Sequence, residues 1–445
     1  MNRIELVSRL FRTASSITDA FPRAGSKFLD MTLLPVAGSD MLSKMKLDGA
    51  RRIVGRIQRF EKILIVSDLN IGDALFSQAA VSGLRDYFPD SQMDLAISKK
   101  AERIVGGNPE INNVLPVFAG TPIPSANDLA ALAKIATRGK YDFLLSLCPY
   151  FGTKDFSLST RNVVPFDSFA AVLVNAMRKP LEMSHVVYQL HRYIHLLLGG
   201  IAPQKRKMEF KGLTATIPES SMDDARKYLR KVGIGGNDKI IMLNPDASTR
   251  FTRIPHDIVV QIIKRLLRLK CPILLGSGFG DGQLGKMIME SLSLEERKGV
   301  ISLKSNISLE EFSALIDFSD VYICGDSGPM HIAAARRRSD MIGAPLRNRT
   351  AVYSIFGATP AKTYAYDSYH PGYFPSNQHA DSRTYVATSP CRNITCINKN
   401  AKTCRTTRCF EFVDVDSIVD DIENSLTHEW ERDRMPRNIE MENRT

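Results

Sequence analysis

One stretch, from Asp320 to Ala335, most constrains the fold of this 445-residue chain. Val321 to Cys324 form an apolar run of strand length, and a turn rich in glycine follows them. Pro329 suits a first helical turn, and the alanines at 333–335 favour a helix. The stretch therefore predicts a buried strand, a tight turn and a helix whose N-terminus could bind a phosphate. An ordinary strand-to-helix connection is the simpler interpretation of the same residues.

The same succession of apolar run, polar turn and helix recurs along the chain. Further runs of strand length begin at Ile63, Met93, Tyr141, Ile240, Pro272, Val300 and Ala351. Strands that alternate with helices predict an α/β fold with parallel sheets. We expect two Rossmann-like domains facing a cleft, over residues 61–205 and 206–426. A helical extension over 1–60 and a polar tail over 427–445 complete the predicted organisation.

The charge balance favours an anionic partner. The net charge is +11, and residues 1–60 carry 11 basic against 5 acidic side chains. Apolar and basic residues alternate there at helical spacing, which suits either a membrane surface or packing on the body of the protein. We expect neither a transmembrane helix nor a secretory signal, and the basic residues lack the interleaved aromatics typical of nucleic-acid binding.

Three loops that follow predicted strands carry candidate functional residues. Parallel α/β sheets bind ligands beyond the carboxyl ends of their strands. In the first loop, Asn70 and Gly72 precede Asp73 at the start of a helix, where a simple helix cap is the alternative role. The second loop contains Thr249 and Arg253, and the third is a glycine-rich turn with Gly278 and Asp281.

The stretch from Gly325 to Ala335 resembles the donor-phosphate signature of glycosyltransferase family 9, the ADP-heptose:lipopolysaccharide heptosyltransferases, which carry Asp-(Ser/Thr)-Gly-x-x-His there. Residues 69–74, 108–114 and 356–360 resemble further motifs of that family, and the resemblance covers roughly residues 62–425. It implies a GT-B fold and an inverting, metal-independent sugar transfer.

The resemblance also implies roles for individual residues. Asp73 would be the general base. The donor nucleotide sugar would bind at Thr249, Arg253, Gly278, Asp281, Asp326, Ser327, Gly328, Pro329, Met330 and His331. Arg253 stands where the family has lysine. An arginine-rich insert from Arg336 to Asn348 also departs from the family pattern, and an exposed loop and a phosphate contact are its two interpretations.

The partners implied by the resemblance are ADP-heptose and a phosphorylated glycolipid acceptor of the lipopolysaccharide core. The expected location is the cytoplasm, with contact to the inner membrane through residues 1–60 as a further option. A protein heptosyltransferase acting on autotransporters and a non-catalytic nucleotide-binding module are the alternative functions.

Seven cysteines include four crowded together near the C-terminus, Cys391, Cys396, Cys404 and Cys409. They could form a structural zinc or iron site, or remain reduced thiols. No cofactor is expected for catalysis itself. His185, His191 and His195 lie on one predicted helix, and we interpret them as packing or surface residues because no companion ligand is near them in sequence.

Overall fold

The structure is a computed structural model, and it describes part of the chain. The described residues are 40–55, 60–67, 70–119, 124–148, 162–164, 185–199, 212–248, 251–276, 283–304, 306–336, 350–357, 359, 361–366, 382–386 and 408–428. They form two compact units, residues 40–199 and 212–428. The predicted domain boundary at 205 and 206 lies outside the described residues.

The first unit is an α/β domain built from alternating strands and helices. Its elements are α1 (Asp40–Val54), β1 (Lys62–Val66), α2 (Ile71–Tyr87), β2 (Gln92–Ser98), a 3-10 turn (Lys99–Ala101), α3 (Glu102–Val105), β3 (Asn113–Phe118), α4 (Ala126–Gly139), β4 (Phe143–Ser146), β5 (Val163–Val164) and α5 (Val186–Leu198).

All strand pairs in this sheet are parallel, in the order β3-β2-β1-β4-β5. Apart from the edge strand β3, the strands are largely buried, which is why they include uninterrupted apolar runs such as Ile63–Val66. The chain winds outward from β1 in one direction and returns to its other side with β4. That reversal creates a crevice at the carboxyl ends of β1 and β4, where such sheets bind ligands.

Helix α1, the described part of the predicted basic extension, packs against α5. Leu47, Ala50 and Val54 lie on its buried face. The Nε atom of Arg51 donates a hydrogen bond of 2.7 Å to the carbonyl oxygen of Leu196 in α5. For this helix, packing on the body of the protein is therefore the interpretation that the contacts support.

The second unit repeats the winding of the first. Its elements are α6 (Glu219–Lys231), β6 (Ile241–Asn244), α7 (His256–Leu266), a 3-10 turn (Leu267–Leu269), β7 (Ile273–Leu275), α8 (Gln283–Glu290), α9 (Leu294–Arg297), β8 (Val300–Ser302), α10 (Leu309–Phe318), β9 (Val321–Gly325), α11 (Gly328–Arg336), β10 (Ala351–Phe356), α12 (Ala361–Tyr364), β11 (Ser382–Val386), a 3-10 turn (Arg408–Phe410) and α13 (Val415–His428).

Its sheet has six parallel strands in the order β8-β7-β6-β9-β10-β11, so β6 and β9 are the neighbours at which the direction of winding reverses. Ser308 caps the N-terminus of α10, since its side chain accepts a hydrogen bond from the Glu311 N–H. The structure thus confirms the α/β prediction in both units. Within the described part of the chain, no helix is both long and apolar enough to cross a bilayer.

Candidate active site

In the first unit, Asp73 lies where the crevice between β1 and β4 opens. It occupies the first turn of α2, directly after the loop that leaves β1. The Nδ2 atom of Asn70 donates a hydrogen bond of 3.0 Å to the Asp73 Oδ2, which orients the carboxylate. Asp73 is half-buried and Asn70 is exposed, so the pair lies at the rim of the fold rather than in its core.

In the second unit, β6 and β9 end side by side, with Asn244 opposite Cys324 in the register. The Asn244 Nδ2 lies 3.4 Å from the hydroxyl of Tyr322, and both side chains are buried. These interactions fix the floor of the crevice from which two predicted donor loops leave, one after Asn244 and the other after Gly325.

Gly325 allows the two loops to approach closely. A Cβ atom at this position would overlap the carbonyl oxygen of Thr252. The Ile254 N–H donates to the Pro245 carbonyl at 3.0 Å, which closes the loop after β6 over the end of β9. Arg253 is thereby held beside the turn that begins with Asp326.

Arg253 forms an ion pair with Asp246, a partner that the sequence analysis did not identify. The Arg253 Nη2 and Asp246 Oδ1 are 2.9 Å apart, and the side chains are 41% and 8% exposed, respectively. The carboxylate takes one side of the guanidinium, while the exposed fraction leaves donors that an anion could reach. Arginine suits this double role because its five N–H donors form a planar fork.

The turn from Asp326 to Met330 offers fewer backbone donors than the sequence suggested. Pro329 has no N–H, and the Met330 N–H donates to the Ser327 carbonyl at 3.1 Å. The Met330 side chain is fully buried in the core. Ser327 and Gly328 therefore provide the backbone donors at the start of α11, together with the positive end of its dipole.

Asp326 and His331 support the turn from within. The His331 Nδ1 lies 3.1 Å from the Tyr366 hydroxyl, and its Nε2 lies 3.7 Å from the Asp326 Oδ1. Burial raises the pKa of Asp326 to about 6 and, with the Asp326 charge, raises the pKa of Tyr366 well above its ordinary value. Tyr366 therefore remains protonated, and its hydroxyl and the Asp326 carboxyl face the two ring nitrogens of His331.

Comparisons with known proteins point to one family. A family model described as glycosyltransferase family 9 (heptosyltransferase) matches residues 171–343. Lipopolysaccharide heptosyltransferase 3 of Escherichia coli is 24% identical over 309 residues, which cover 65% of this chain and 81% of that protein. Lipopolysaccharide heptosyltransferase 2 of Salmonella typhimurium is 22% identical over 289 residues, covering 62% and 80%.

Residues 171–343 are thus similar to glycosyltransferase family 9. Two solved structures share the fold of this chain. A family 9 glycosyltransferase from Veillonella parvula matches with a TM-score of 0.60 and 14% identity over 82% of this chain and 97% of its own. The Escherichia coli ADP-heptose lipopolysaccharide heptosyltransferase II matches with a TM-score of 0.53 and 16% identity over 83% and 99%. The predicted GT-B fold is therefore confirmed.

Several predicted site residues lie outside the described part of the chain, namely Thr249, Gly278 and Asp281 of the donor site and Cys391, Cys396 and Cys404 of the metal site. Cys409 is described and buried in the short turn before α13. Each unit by itself places its other predicted residues at the carboxyl edge of its own sheet, with Asp73 in the first unit and Arg253 and the Asp326 turn in the second.

Arg336 is the first residue of the arginine-rich insert, which was interpreted as an exposed loop or as a phosphate contact. Its role fits neither interpretation. It is buried, with its Nη2 2.7 Å from the Asp317 Oδ2, and its Nη1 donates to the Ala215 carbonyl at 3.0 Å. Its guanidinium is therefore committed to the interior of the second unit, so Arg336 is neither an exposed loop residue nor a phosphate ligand. Residues 337–349 lie outside the described residues.

Two residues that support the predicted donor site were not predicted from the sequence. Asp246 follows β6 in an Asn-Pro-Asp sequence, so a carboxylate beside the predicted Arg253 was a usable signal. Tyr366 is 35 positions from His331 in the chain, and no local pattern connects the two.

Proposed function

We propose that this protein transfers a heptose, with inversion, from ADP-heptose to an acceptor of the lipopolysaccharide core. The match of residues 171–343 to the family 9 model and the named activities of the similar lipopolysaccharide heptosyltransferases support this class of donor and acceptor. The observation that carries the proposal is the meeting of Arg253, the Asp326 turn and the start of α11 at one switch point of the second sheet.

That meeting point suits a nucleoside diphosphate. During transfer, the bond between the sugar anomeric carbon and the diphosphate breaks, and negative charge grows on the departing oxygen. The Arg253 guanidinium, the N–H groups of Ser327 and Gly328, and the α11 dipole would stabilise that charge. In the proposed step these protein groups neutralise the leaving diphosphate without a divalent cation.

Asp73 would act on the acceptor. Its carboxylate accepts the proton of an acceptor hydroxyl as that oxygen forms a bond to the anomeric carbon. The Asn70 amide holds the Asp73 Oδ2 through its 3.0 Å hydrogen bond and so orients the carboxylate that would receive the proton. A single displacement of this kind inverts the configuration of the anomeric carbon.

The net charge of +11 is consistent with an acceptor that carries phosphates. We propose that transfer takes place on the cytoplasmic side, where residues 1–60 could contact the anionic surface of the inner membrane.

The decisive experiment measures diphosphate release from a panel of nucleotide sugars, with and without deacylated lipopolysaccharide. We expect ADP release from ADP-heptose only when the lipopolysaccharide acceptor is present. Turnover that needs a protein acceptor, or ADP binding without any transfer, would refute the proposed acceptor or the proposed enzyme, respectively.

Asp73→Asn tests the base directly. We expect transfer to fall by at least 10³-fold, within the upper range for loss of general base catalysis, while ADP affinity stays within twofold. Asp90→Asn is the matched control, because Asp90 is an exposed carboxylate in a turn of the same unit. Full turnover by Asp73→Asn would remove Asp73 from the mechanism.

Arg253→Ala tests the phosphate contact. We expect ADP to bind about tenfold or more weakly by calorimetry, and Arg253→Lys to recover only part of the loss because a single ammonium replaces a fork. Arg268→Ala, which breaks exposed ion pairs with Asp420 and Glu423, should leave ADP affinity unchanged. Equal ADP affinity in wild type and Arg253→Ala would contradict the assignment.

A further inference from the structure

Three side chains with metal-binding chemistry meet between α2 and α5, on helices distant from each other in sequence. His191 and His195 are one turn apart on α5 and so share a face. Asp86 is the penultimate residue of α2. No companion ligand is near the histidines in sequence, which predicted a packing role for them, but the fold brings Asp86 to them from more than a hundred positions away.

The distances among the three ligand atoms fit one metal ion. The Asp86 Oδ2 lies 3.8 Å from the His191 Nε2 and 3.6 Å from the His195 Nε2. The two Nε2 atoms are 3.4 Å apart. The point equidistant from the corners of such a triangle lies about 2.1 Å from each, which matches zinc bonds to imidazole nitrogen and carboxylate oxygen.

From this geometry we propose that Asp86, His191 and His195 form a binding site for a divalent cation of the zinc class. The ligand set is two imidazoles and one carboxylate, a combination that suits zinc and its neighbours rather than calcium or magnesium. An ion here would be held by three protein ligands, with a fourth position for water.

The protonation of the histidines agrees with this role, since a metal binds the neutral imidazole. Burial, followed by the neighbouring His195, lowers the pKa of His191 to about 4, and burial also lowers that of His195. Each side chain is only 9–12% exposed, so the ligands are largely shielded from water.

A hydrogen-bond partner behind the imidazole ring orients His195. The Tyr87 hydroxyl lies 3.0 Å from the Nδ1 of His195, on the far side of the ring from the Nε2 that would bind the metal. Metal-bound histidines usually have such a partner on the other ring nitrogen, and it fixes both tautomer and ring orientation.

The role of the ion would be structural. Asp86 is 13 residues after Asp73 on α2, a distance of about 20 Å along the helix axis. The ion would thus fasten the last turn of α2 to α5 without touching the proposed reacting groups. This role does not depend on which sugar the enzyme transfers.

The test uses the full-length protein after treatment with a chelator. Titration with Co²⁺ should reveal one equivalent with the visible bands of nitrogen and oxygen ligands, and Zn²⁺ should displace it. Because Zn²⁺ would bind the folded state, it should also raise the Tm, by an amount that grows with the logarithm of its concentration over its Kd. Failure of the wild type to bind Co²⁺ or Zn²⁺ would overturn the proposal.

Asp86→Asn and His195→Gln should each weaken Zn²⁺ binding by at least a hundredfold and abolish the Tm shift. Should those variants fail to fold, Tyr87→Phe keeps all three ligands and should still weaken Zn²⁺ binding by about 10- to 100-fold. Asp90→Asn, an exposed carboxylate four positions from Asp86, should bind like wild type.

Cys409→Ser separates this site from the cysteine-rich segment. We expect the variant to keep the Co²⁺ equivalent and its spectrum. A wild-type spectrum dominated by thiolate charge-transfer bands that disappear in Cys409→Ser, or unchanged Zn²⁺ binding by Asp86→Asn, would place the metal elsewhere and overturn the proposal.

Discussion

Gly325→Ala should damage the proposed donor site through one added methyl group. Gly325 ends β9, and its Cα lies against the carbonyl oxygen of Thr252 in the loop that carries Arg253. Its φ is not in the left-handed region, so alanine can adopt the backbone conformation and the conflict is purely one of space. The Thr252 oxygen belongs to the backbone, so the whole loop must move away to relieve the overlap.

The required movement exceeds half an ångström, since real Cβ atoms do not approach an oxygen as closely as this one would. Overpacking of this kind costs about 1–3 kcal/mol of stability. The loss of transfer activity should be greater than the loss of stability alone would cause, because a displacement near 1 Å at a binding site can reduce a rate about 10²-fold. We expect ADP affinity to fall about tenfold and kcat/KM to fall about 10- to 100-fold.

Calorimetric titration with ADP and initial rates of ADP release measure the two effects. Gly49→Ala is the control: Gly49 lies within α1 with open space around it, so alanine should stabilise the helix by about 0.5–1 kcal/mol and leave ADP affinity unchanged. If folded Gly325→Ala bound ADP and turned over like wild type, the loop after β6 would not be part of the donor site.

Two further predictions concern buried charges in the second unit. Arg336→Met should cost about 3–5 kcal/mol in urea denaturation, because it leaves the Asp317 carboxylate buried without its cation. A cost under about 1 kcal/mol would show that Asp317 reaches water. The raised pKa of Asp326 means that the folded state holds its proton more tightly than the unfolded state, so this carboxyl should make stability fall as the pH rises from about 4 to 6. Asp326→Asn should remove that slope, and an identical pH profile in wild type and variant would show that Asp326 titrates normally.

The sheets were predictable because their central strands are buried on both faces. Runs such as 63–66, 240–243 and 321–324 are apolar at every position, a pattern that parallel strands covered by helices require. Each polar turn that follows such a run marks the carboxyl end of a strand. The general placement of Asp73 and of the Asp326 turn therefore followed from the local sequence alone.

The tertiary partners were not predictable from local pattern. Arg336 looked like part of an exposed basic insert, yet it pairs with Asp317 from the preceding helix and with the Ala215 carbonyl. The proximity of Asp86 to His195 depends on how α2 and α5 pack, which periodicity does not specify. Such pairs depend on the three-dimensional course of the chain, and a single sequence carries no separate signal for them.

Helix α2 has Asp73 in its first turn and Asp86 in its last, which constrains how this part of the chain can change in length. Inserting one residue between them would rotate one end relative to the other by about 100° and lengthen the helix by about 1.5 Å. Asp73, the proposed proton acceptor, would then move away from the carboxyl edge of the sheet, or the Asp86 carboxylate would turn away from the two imidazoles. We therefore expect lengthening to be accepted in surface turns such as the one at Asp90 and rejected anywhere from Ile71 to Tyr87.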